Sequence, residues 1–453
     1  MRKIAFHNLG CKVNSYELDY MTQNCGDFGY EIVGFEEKAD VYVINTCSVT
    51  NIADRKSRQM IHKAKKENPE AVVVAAGCFV QANPEEVAKD EAIDLIVGNN
   101  RKKEIFELLE EYFRVKASDR IPAKNLDGQT VTDVRHCEYE DLLVVKSAER
   151  SRAYVKIQDG CDRFCTYCII PFTRGNIRSR RPESVINEIE KIAEEGYAEV
   201  VLTGIHISSY GKDFDDKRTP EEHLFSLLWS INGIAGIERI RIGSFEPMIL
   251  SEEFVKNLSQ IDKLCPHFHI SLQSGSNSVL KRMNRHYDTD AYYEKTKLLR
   301  KYFKGCAITT DVIVGFPGET EKEFEETVEF LTKVGFFETH IFPYSRRKGT
   351  IADRMEGQLS ANEKKERVRV LLELDGKESE KFRASKIGEV TNIIIEEMKE
   401  ADGKRFYVGH TPEYVMAAVK PEELGQNPVG KKVNVRITGI LSPGITLAEV
   451  IKD

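Results

Sequence analysis

The chain has 453 residues, 41% hydrophobic and 31% charged, with a formal net charge of -7 at pH 7, which allows sizeable cores and about three domains. No run of 18 apolar residues occurs and "MRKIAFHNLGC" lacks a long apolar stretch, so neither a membrane span nor a secretory leader is expected. Ten cysteines are too few for a disulfide scaffold, and a cytoplasmic location with reduced, metal-accessible thiols is expected.

From residue 1 to about 140, β-branched runs alternate with helical stretches. "KIAF" predicts a strand, Tyr16 to Phe28 a helix, "VYVIN" a strand and Asp54 to Lys66 a helix; "AVVVAA" and "LIVG" are further strands, and Lys102 to Val115 a further helix. This βαβα rhythm predicts an open, mostly parallel sheet. Cys11 ends "HNLGC", Cys47 ends "INTC" and Cys78 ends "AAGC", each directly after a strand. Side chains at the carboxyl ends of neighbouring parallel strands converge on one crevice, so these three thiols are expected to meet. A lone cysteine is usually a small buried hydrophobe, which does not explain three in one topological place. Cys25, Cys137, Cys265 and Cys306 lack that placement and are read as structural or free thiols. "RKSRQMIHKAKK", Arg55 to Lys66, carries six basic residues and no acid; it fits a polyanion patch and a solvated helix face equally.

Residues 116 to 150, charged and without long apolar periodicity, read as a linker returning to the sheet. The rhythm restarts at "AYVKI" and continues through "EVVLTG", "IERIRIG", "HFHISL", "AITTDVIVG" and "ETHIFPY", which predicts a partial (β/α)6 barrel. Directly after its first strand stands "GCDRFCTYC", with Cys161, Cys165 and Cys168 at CxxxCxxC spacing. A structural zinc site closes with four ligands, and no histidine lies between 159 and 205 to complete one. Three thiolates fit an iron–sulfur cubane whose fourth iron stays open. Arg174, Arg178, Arg180 and Arg181 in "RGNIRSRR" form an acid-free basic run suited to phosphates. "GFPGET" lacks the Lys-Ser/Thr close of a triphosphate loop and reads as a turn, with Thr320 an N-cap. Phe316, Phe336, Phe337 and Phe342 read as core, and His206, His269 and His286 as core or surface histidines. The helix Ala361 to Lys386 leads to five short β-rich segments, a small β-barrel of the oligonucleotide-binding kind. Lys404, Arg405, Lys431, Lys432 and Arg436 are its candidate RNA contacts. Three blocks result: 1–140, 141–375 and 376–453.

Taken together, "LGCKVNSYE", "INTCSVT", "AAGC", "IQDGCDRFCTYCIIPFTRGNIRSR", "LTGIHISSYG" and "SLQSGSNSVLKRMNR" resemble the radical S-adenosylmethionine methylthiotransferases, and the last block resembles their TRAM domain. The resemblance runs in order over nearly the whole chain. "GCKVN" and "LTGIHI" are similar to the branch that methylthiolates N6-threonylcarbamoyladenosine at position 37 of tRNA, next to the anticodon. It implies a 4Fe–4S cluster on Cys161, Cys165 and Cys168 that cleaves S-adenosylmethionine to a 5′-deoxyadenosyl radical. It implies a second, auxiliary 4Fe–4S cluster on Cys11, Cys47 and Cys78 that bears the transferred sulfur, and two S-adenosylmethionine molecules per turnover. It further implies cofactor contacts from Tyr167, Thr203, Gly204, Ser244, Glu246, Gln273 and Arg282. The implied partners are the tRNA anticodon stem-loop, a flavodoxin or ferredoxin as electron donor, and a sulfur source, with no membrane. The alternatives are isopentenyladenosine in tRNA or a ribosomal protein as substrate and, more distantly, a non-catalytic RNA-binding zinc protein.

Overall fold

The structure is a computed structural model that describes residues 1–117, 131–146 and 151–451. Much of the expected 116–150 linker lies outside these residues. Its described part, 131–146, contains no strand and packs across the first two blocks.

The first block is a five-stranded parallel sheet of β1 (Arg2–Asn8), β2 (Tyr30–Ile32), β3 (Val41–Thr46), β4 (Val72–Gly77) and β5 (Leu95–Val97), in the order β2-β1-β3-β4-β5. β3 and β4 are buried along their whole lengths, as strands covered on both faces must be, which is why they read as unbroken apolar runs. Met21, Phe106 and Leu109 cover one face, and Ile61, Ala64 and Phe79 the other. The edge strand β2 was not expected: three residues carry too little periodicity to show. The first helix is α1 (Lys12–Asn24), followed by a 3-10 turn Cys25–Phe28, so it starts and ends four residues before the expected span. The second, α2 (Asn51–Glu67), begins where Thr50 accepts from the Ala53 amide.

In the central block β6 (Arg152–Asp159), β8 (Glu199–Gly204), β9 (Arg239–Ile242), β11 (His267–Ile270), β12 (Ala307–Val314) and β13 (Glu338–Pro343) follow one another in parallel. β7 (Arg178–Ser179) pairs antiparallel with the β6 edge. β10 (Ser244–Phe245) continues β9 after a break at Gly243 and pairs with β11, and an Ile240–Leu264 bridge joins the two halves. Outward residues such as Val155, Leu202 and Ile242 form one large core with the surrounding helices. The alternating inward positions are polar: Arg152, Lys156, Glu199, Arg239 and Arg241 are all buried. Thr320 caps the helix Glu321–Val334 in a full capping box with Glu323, as the turn reading of "GFPGET" expects.

The last block is a closed barrel in the order β14-β15-β16-β18-β17, built from β14 (Val390–Ala401), β15 (Lys404–His410), β16 (Met416–Val419), β17 (Lys432–Ser442) and β18 (Ile445–Val450). It docks on the amino ends of the central strands. Arg239 donates to Asn392 O at 2.7 Å and His410 O at 2.8 Å, and Arg241 donates to Pro412 O at 2.9 Å. The Tyr414 ring stacks between His267 and His410.

Candidate functional site: two thiol triads beside one cavity

Each triad sits where a parallel strand ends. Cys11 follows β1 and is the N-cap of α1, Cys47 follows β3, and Cys78 opens a short helix after β4. Gly10 makes this approach possible: its φ is +114°, and a Cβ there would lie 2.9 Å from Cys47 Cβ. Burial, then the neighbouring Cys78 thiolate, pushes the Cys47 thiol up to about 12. The Cys11 thiol is raised chiefly by burial, with Cys78 also adverse.

The second triad lies in the loop after β6. Gly160, φ +73°, starts it, and a Cβ there would stand 1.8 Å from Asn176 O, so only glycine lets the loop fold back. The Cys161 amide then donates to Gly175 O at 3.0 Å. Burial pushes the Cys161 thiol up to about 11 and the Cys168 thiol up to about 12, with the Cys165 thiolate adding to both. Thiols that mutually oppose one another's ionisation become a stable set of thiolates when a bound metal group compensates their charge. Both triads therefore fit an iron–sulfur group with three protein ligands.

An arginine touches one sulfur of each triad. Arg285 donates to Cys165 Sγ at 3.2 Å and to both Glu246 oxygens at 2.8 and 3.0 Å. Arg174 donates to Cys78 Sγ at 3.3 Å although it belongs to the central block. Arg174 is 1% exposed. It also pairs with Glu17, with Asn14 Oδ1 at 2.7 Å and with Asp159 at 3.2 Å. Lys102 and Lys156 complete this buried network on Glu17. Burial pushes the Glu17 carboxyl up, but Arg174, Lys102 and Lys156 outweigh it and hold it well below the usual carboxylate range.

The expectation that 174–181 tracks phosphate is corrected for three of its four arginines. Arg178 and Arg180, like Arg174, are nearly inaccessible. Arg178 donates to Val134 O at 2.7 Å, and Arg180 pairs with Asp141 at 2.7 Å and Glu188 at 3.0 Å. They tie the 131–146 segment and α1 to the barrel, and only Arg181 is exposed. In the last barrel Lys404, Arg405, Lys431 and Arg436 are exposed, whereas Lys432 pairs with Glu238 of the central block.

A cavity of about 300 Å³ is lined by Val49 and Thr50, just beyond Cys47, and by Tyr167, Cys168, Gln273 and Asp311. The cavity thus borders Cys168 of one triad and the segment that follows Cys47 of the other. Gln273 adopts φ +73°, sparsely populated for a non-glycine residue, and Phe342, expected in the core, lines the cavity at 43% exposure. Thr203 and Gly204 end β8, Ser244 is exposed on β10, and Glu246 is buried against Arg285. Arg282 turns away, in an ion pair with Glu323 at 2.8 Å. The sulfur contact belongs instead to Arg285, three residues on in the same "LKRMNRHY" stretch. Nothing in the sequence ranks the two, because the choice is made by the helix end and the left-handed turn at Asn284. Among the described residues, His269, Asp311 and His340 form the one group of three metal-ligating side chains whose ligand atoms all lie within 4.8 Å of one another; neither cysteine triad is drawn that close.

The Radical SAM superfamily model matches residues 155–331, and that of the uncharacterized protein family UPF0004 matches residues 3–98. The chain is 42% identical over 439 residues to the threonylcarbamoyladenosine tRNA methylthiotransferase MtaB of Bacillus subtilis (strain 168), covering 96% of this chain and 94% of that one. It is 35% identical over 440 residues to the tRNA-2-methylthio-N6-dimethylallyladenosine synthase of Moorella thermoacetica, covering 95% and 94%. Among solved structures it is similar in fold to the radical S-adenosylmethionine methyltransferase TsrM of Kitasatospora setae, with a TM-score of 0.57 and 17% identity over 78% of this chain and 77% of that one.

Proposed function

The chain belongs to the threonylcarbamoyladenosine tRNA methylthiotransferases of the radical S-adenosylmethionine superfamily, and from that membership we infer which of its residues hold the cofactors, the nucleoside and the tRNA. It is an enzyme that converts N6-threonylcarbamoyladenosine in tRNA to the 2-methylthio derivative, with S-adenosylmethionine and 4Fe–4S clusters as cofactors. The zinc reading gives way to the Radical SAM match, and the dimethylallyl relative is the less similar of the two.

Our assignment gives one cluster to Cys161, Cys165 and Cys168 and the other to Cys11, Cys47 and Cys78. Together with S-adenosylmethionine these groups supply one-electron reduction of the sulfonium and a transferable sulfur. The observation that carries the assignment is the single cavity bordered by Cys168 and by the segment after Cys47. Tyr167 and Gln273 line it and are assigned to the cofactor, with Thr203, Gly204 and Glu246 nearby at strand ends; Ser244 keeps a weaker claim, and Arg282 yields its place to Arg285. The chain's own contribution is to hold the two thiol sets in register, to close the cavity walls and to orient the nucleoside.

For the tRNA, the proposal keeps Lys404, Arg405, Lys431, Arg436 and Arg181, all exposed, and adds Arg55 and Lys56, exposed where α2 meets the barrel. There the Asn51 amide donates to Ser345 Oγ at 2.9 Å and Arg347 pairs with Asp54 at 2.7 Å. An RNA that touches both the cavity mouth and the last barrel must run along the flank of the central block. The reading includes a cytoplasmic location, a flavodoxin- or ferredoxin-type donor and a sulfur source; no described helix is long and apolar enough to cross a membrane. Nucleoside analysis after incubating the reconstituted enzyme with threonylcarbamoylated tRNA tests the function. A 2-methylthio product is expected, and unchanged nucleoside would refute it.

A further inference from the structure

Three neighbouring strands of the central block bring His269, Asp311 and His340 onto one face. Asp311 on β12 is the direct cross-strand partner of His340 on β13, and His269 on β11 is that of Thr309, two residues before Asp311. Residues two apart on a strand share a face, so the four side chains gather on the same side of the sheet. His269 Nε2 lies 3.3 Å from Asp311 Oδ2, and His340 Nδ1 lies 3.1 Å from Asp311 Oδ1. Ligand atoms bound at about 2.1 Å to one tetrahedral or octahedral ion stand about 3.0–3.4 Å apart, and both separations match that spacing.

The far side of His269 is fixed as well. Its Nδ1 lies 3.0 Å from the Thr309 hydroxyl, which is also 3.3 Å from His267 Nε2. When Nδ1–H donates to Thr309, as metal-bound histidines donate through their second nitrogen, Nε2 turns a lone pair toward a carboxylate oxygen. Two acceptors that face each other need a proton or a metal ion between them. Protons serve this cluster poorly. The two rings stack with centroids 5.4 Å apart, so two imidazolium charges would adjoin and share one carboxylate. One divalent cation satisfies both rings and the carboxylate together. Asp311 also lines the cavity that Tyr167, Cys168 and Gln273 border.

We propose that His269, Asp311 and His340 form a metal centre separate from both thiol triads, for one divalent first-row transition ion such as zinc, manganese or ferrous iron. Two imidazoles and one carboxylate leave coordination positions open on such an ion. Through Asp311 those positions border the cavity, where water or an oxygen of a bound molecule fills them. The nitrogen and oxygen donors distinguish this centre from the thiolate sets, whose sulfurs select iron–sulfur groups. The proposal holds whichever nucleoside is the substrate.

The test uses reconstituted, iron-loaded full-length protein, desalted from loose metal and titrated with Mn²⁺. Free Mn²⁺ is read by room-temperature electron paramagnetic resonance, and Zn²⁺ is then added as competitor. The wild type should bind one Mn²⁺ saturably, and Zn²⁺ should displace it, as the order of divalent affinities requires. His340 is 54% exposed, so His340→Gln leaves the core untouched; it should weaken Mn²⁺ binding by about tenfold or more, with iron content unchanged. Thr309→Val keeps the volume and removes only the hydroxyl behind His269, and should cost about 10–100-fold. Pulsed resonance of the frozen Mn²⁺ complex should show imidazole nitrogen in the wild type and lose it in the His269→Gln, His340→Gln double variant. A wild type that binds neither Mn²⁺ nor Zn²⁺ saturably overturns the proposal and leaves the three side chains as a hydrogen-bonded cluster. Binding with the same affinity and the same nitrogen signal in every variant overturns it too, because the ion would then sit elsewhere.

Discussion

Each triad has a guanidinium against one sulfur, and the two differ in what else the arginine holds. Arg174 is surrounded by Glu17, Asp159 and Asn14 inside the junction of two blocks. Arg174→Ala leaves Glu17 buried without its main partner and Asp159 without one of its partners, and a loss of about 3–5 kcal/mol is expected, measured by denaturant unfolding, together with loss of iron from the Cys11, Cys47 and Cys78 set. Arg181→Ala should stay within about 0.5 kcal/mol of wild type and lower the salt slope of tRNA binding by about one. Equal damage from both variants would return the whole run to one role. Arg285 donates to Cys165 Sγ, and hydrogen bonds and positive charge at cluster sulfurs raise the reduction potential. Arg285→Ala should therefore make the potential of the Cys161, Cys165 and Cys168 cluster more negative in a redox titration; an unchanged potential would mean that the contact is not made to the loaded site.

The docking of the last barrel depends on Glu199 at the start of β8, the shared partner of Arg152, Arg239 and Arg241. Burial pushes its carboxyl up, but Arg241 and Arg152 override this and hold it at about 2 against an ordinary 4.5. A depressed carboxylate contributes stability above its unfolded value and loses it as pH falls. The stability difference between wild type and Glu199→Gln should therefore be full above pH 4.5 and shrink toward pH 2. Thermal melts across that window check it, and a pH-independent difference would show that the ionised form is not what the arginines hold. At this scale the periodic elements were legible: the strand rhythm, the five strands of the last barrel and the Thr320 cap are local patterns. The three-residue β2 and the start of α1 were not. A short edge strand has no period to read, and α1 starts early because its first turn is set by Cys11 at the β1 end and by contacts with the barrel.

At the scale of the molecule, the positions of all six triad cysteines were legible, because strand-end placement and CxxxCxxC spacing follow from chain order. The fate of the arginine run was not. "RGNIRSRR" looks like a phosphate track because its counter-charges, Glu17, Asp141 and Glu188, come from distant segments that only the fold brings together. Those same contacts join the first sheet to the barrel, so the cavity is bordered by Cys168 and by the segment after Cys47. The central claim is that the triads do different work there. Its most direct test measures 5′-deoxyadenosine and 2-methylthio nucleoside together, under reductant and with threonylcarbamoylated tRNA, in two triple variants. With Cys161, Cys165 and Cys168 replaced by Ala, both products should vanish. With Cys11, Cys47 and Cys78 replaced, 5′-deoxyadenosine should still form while no methylthio group reaches the tRNA. Methylthiolated tRNA from the second variant, or 5′-deoxyadenosine from the first, would contradict the account.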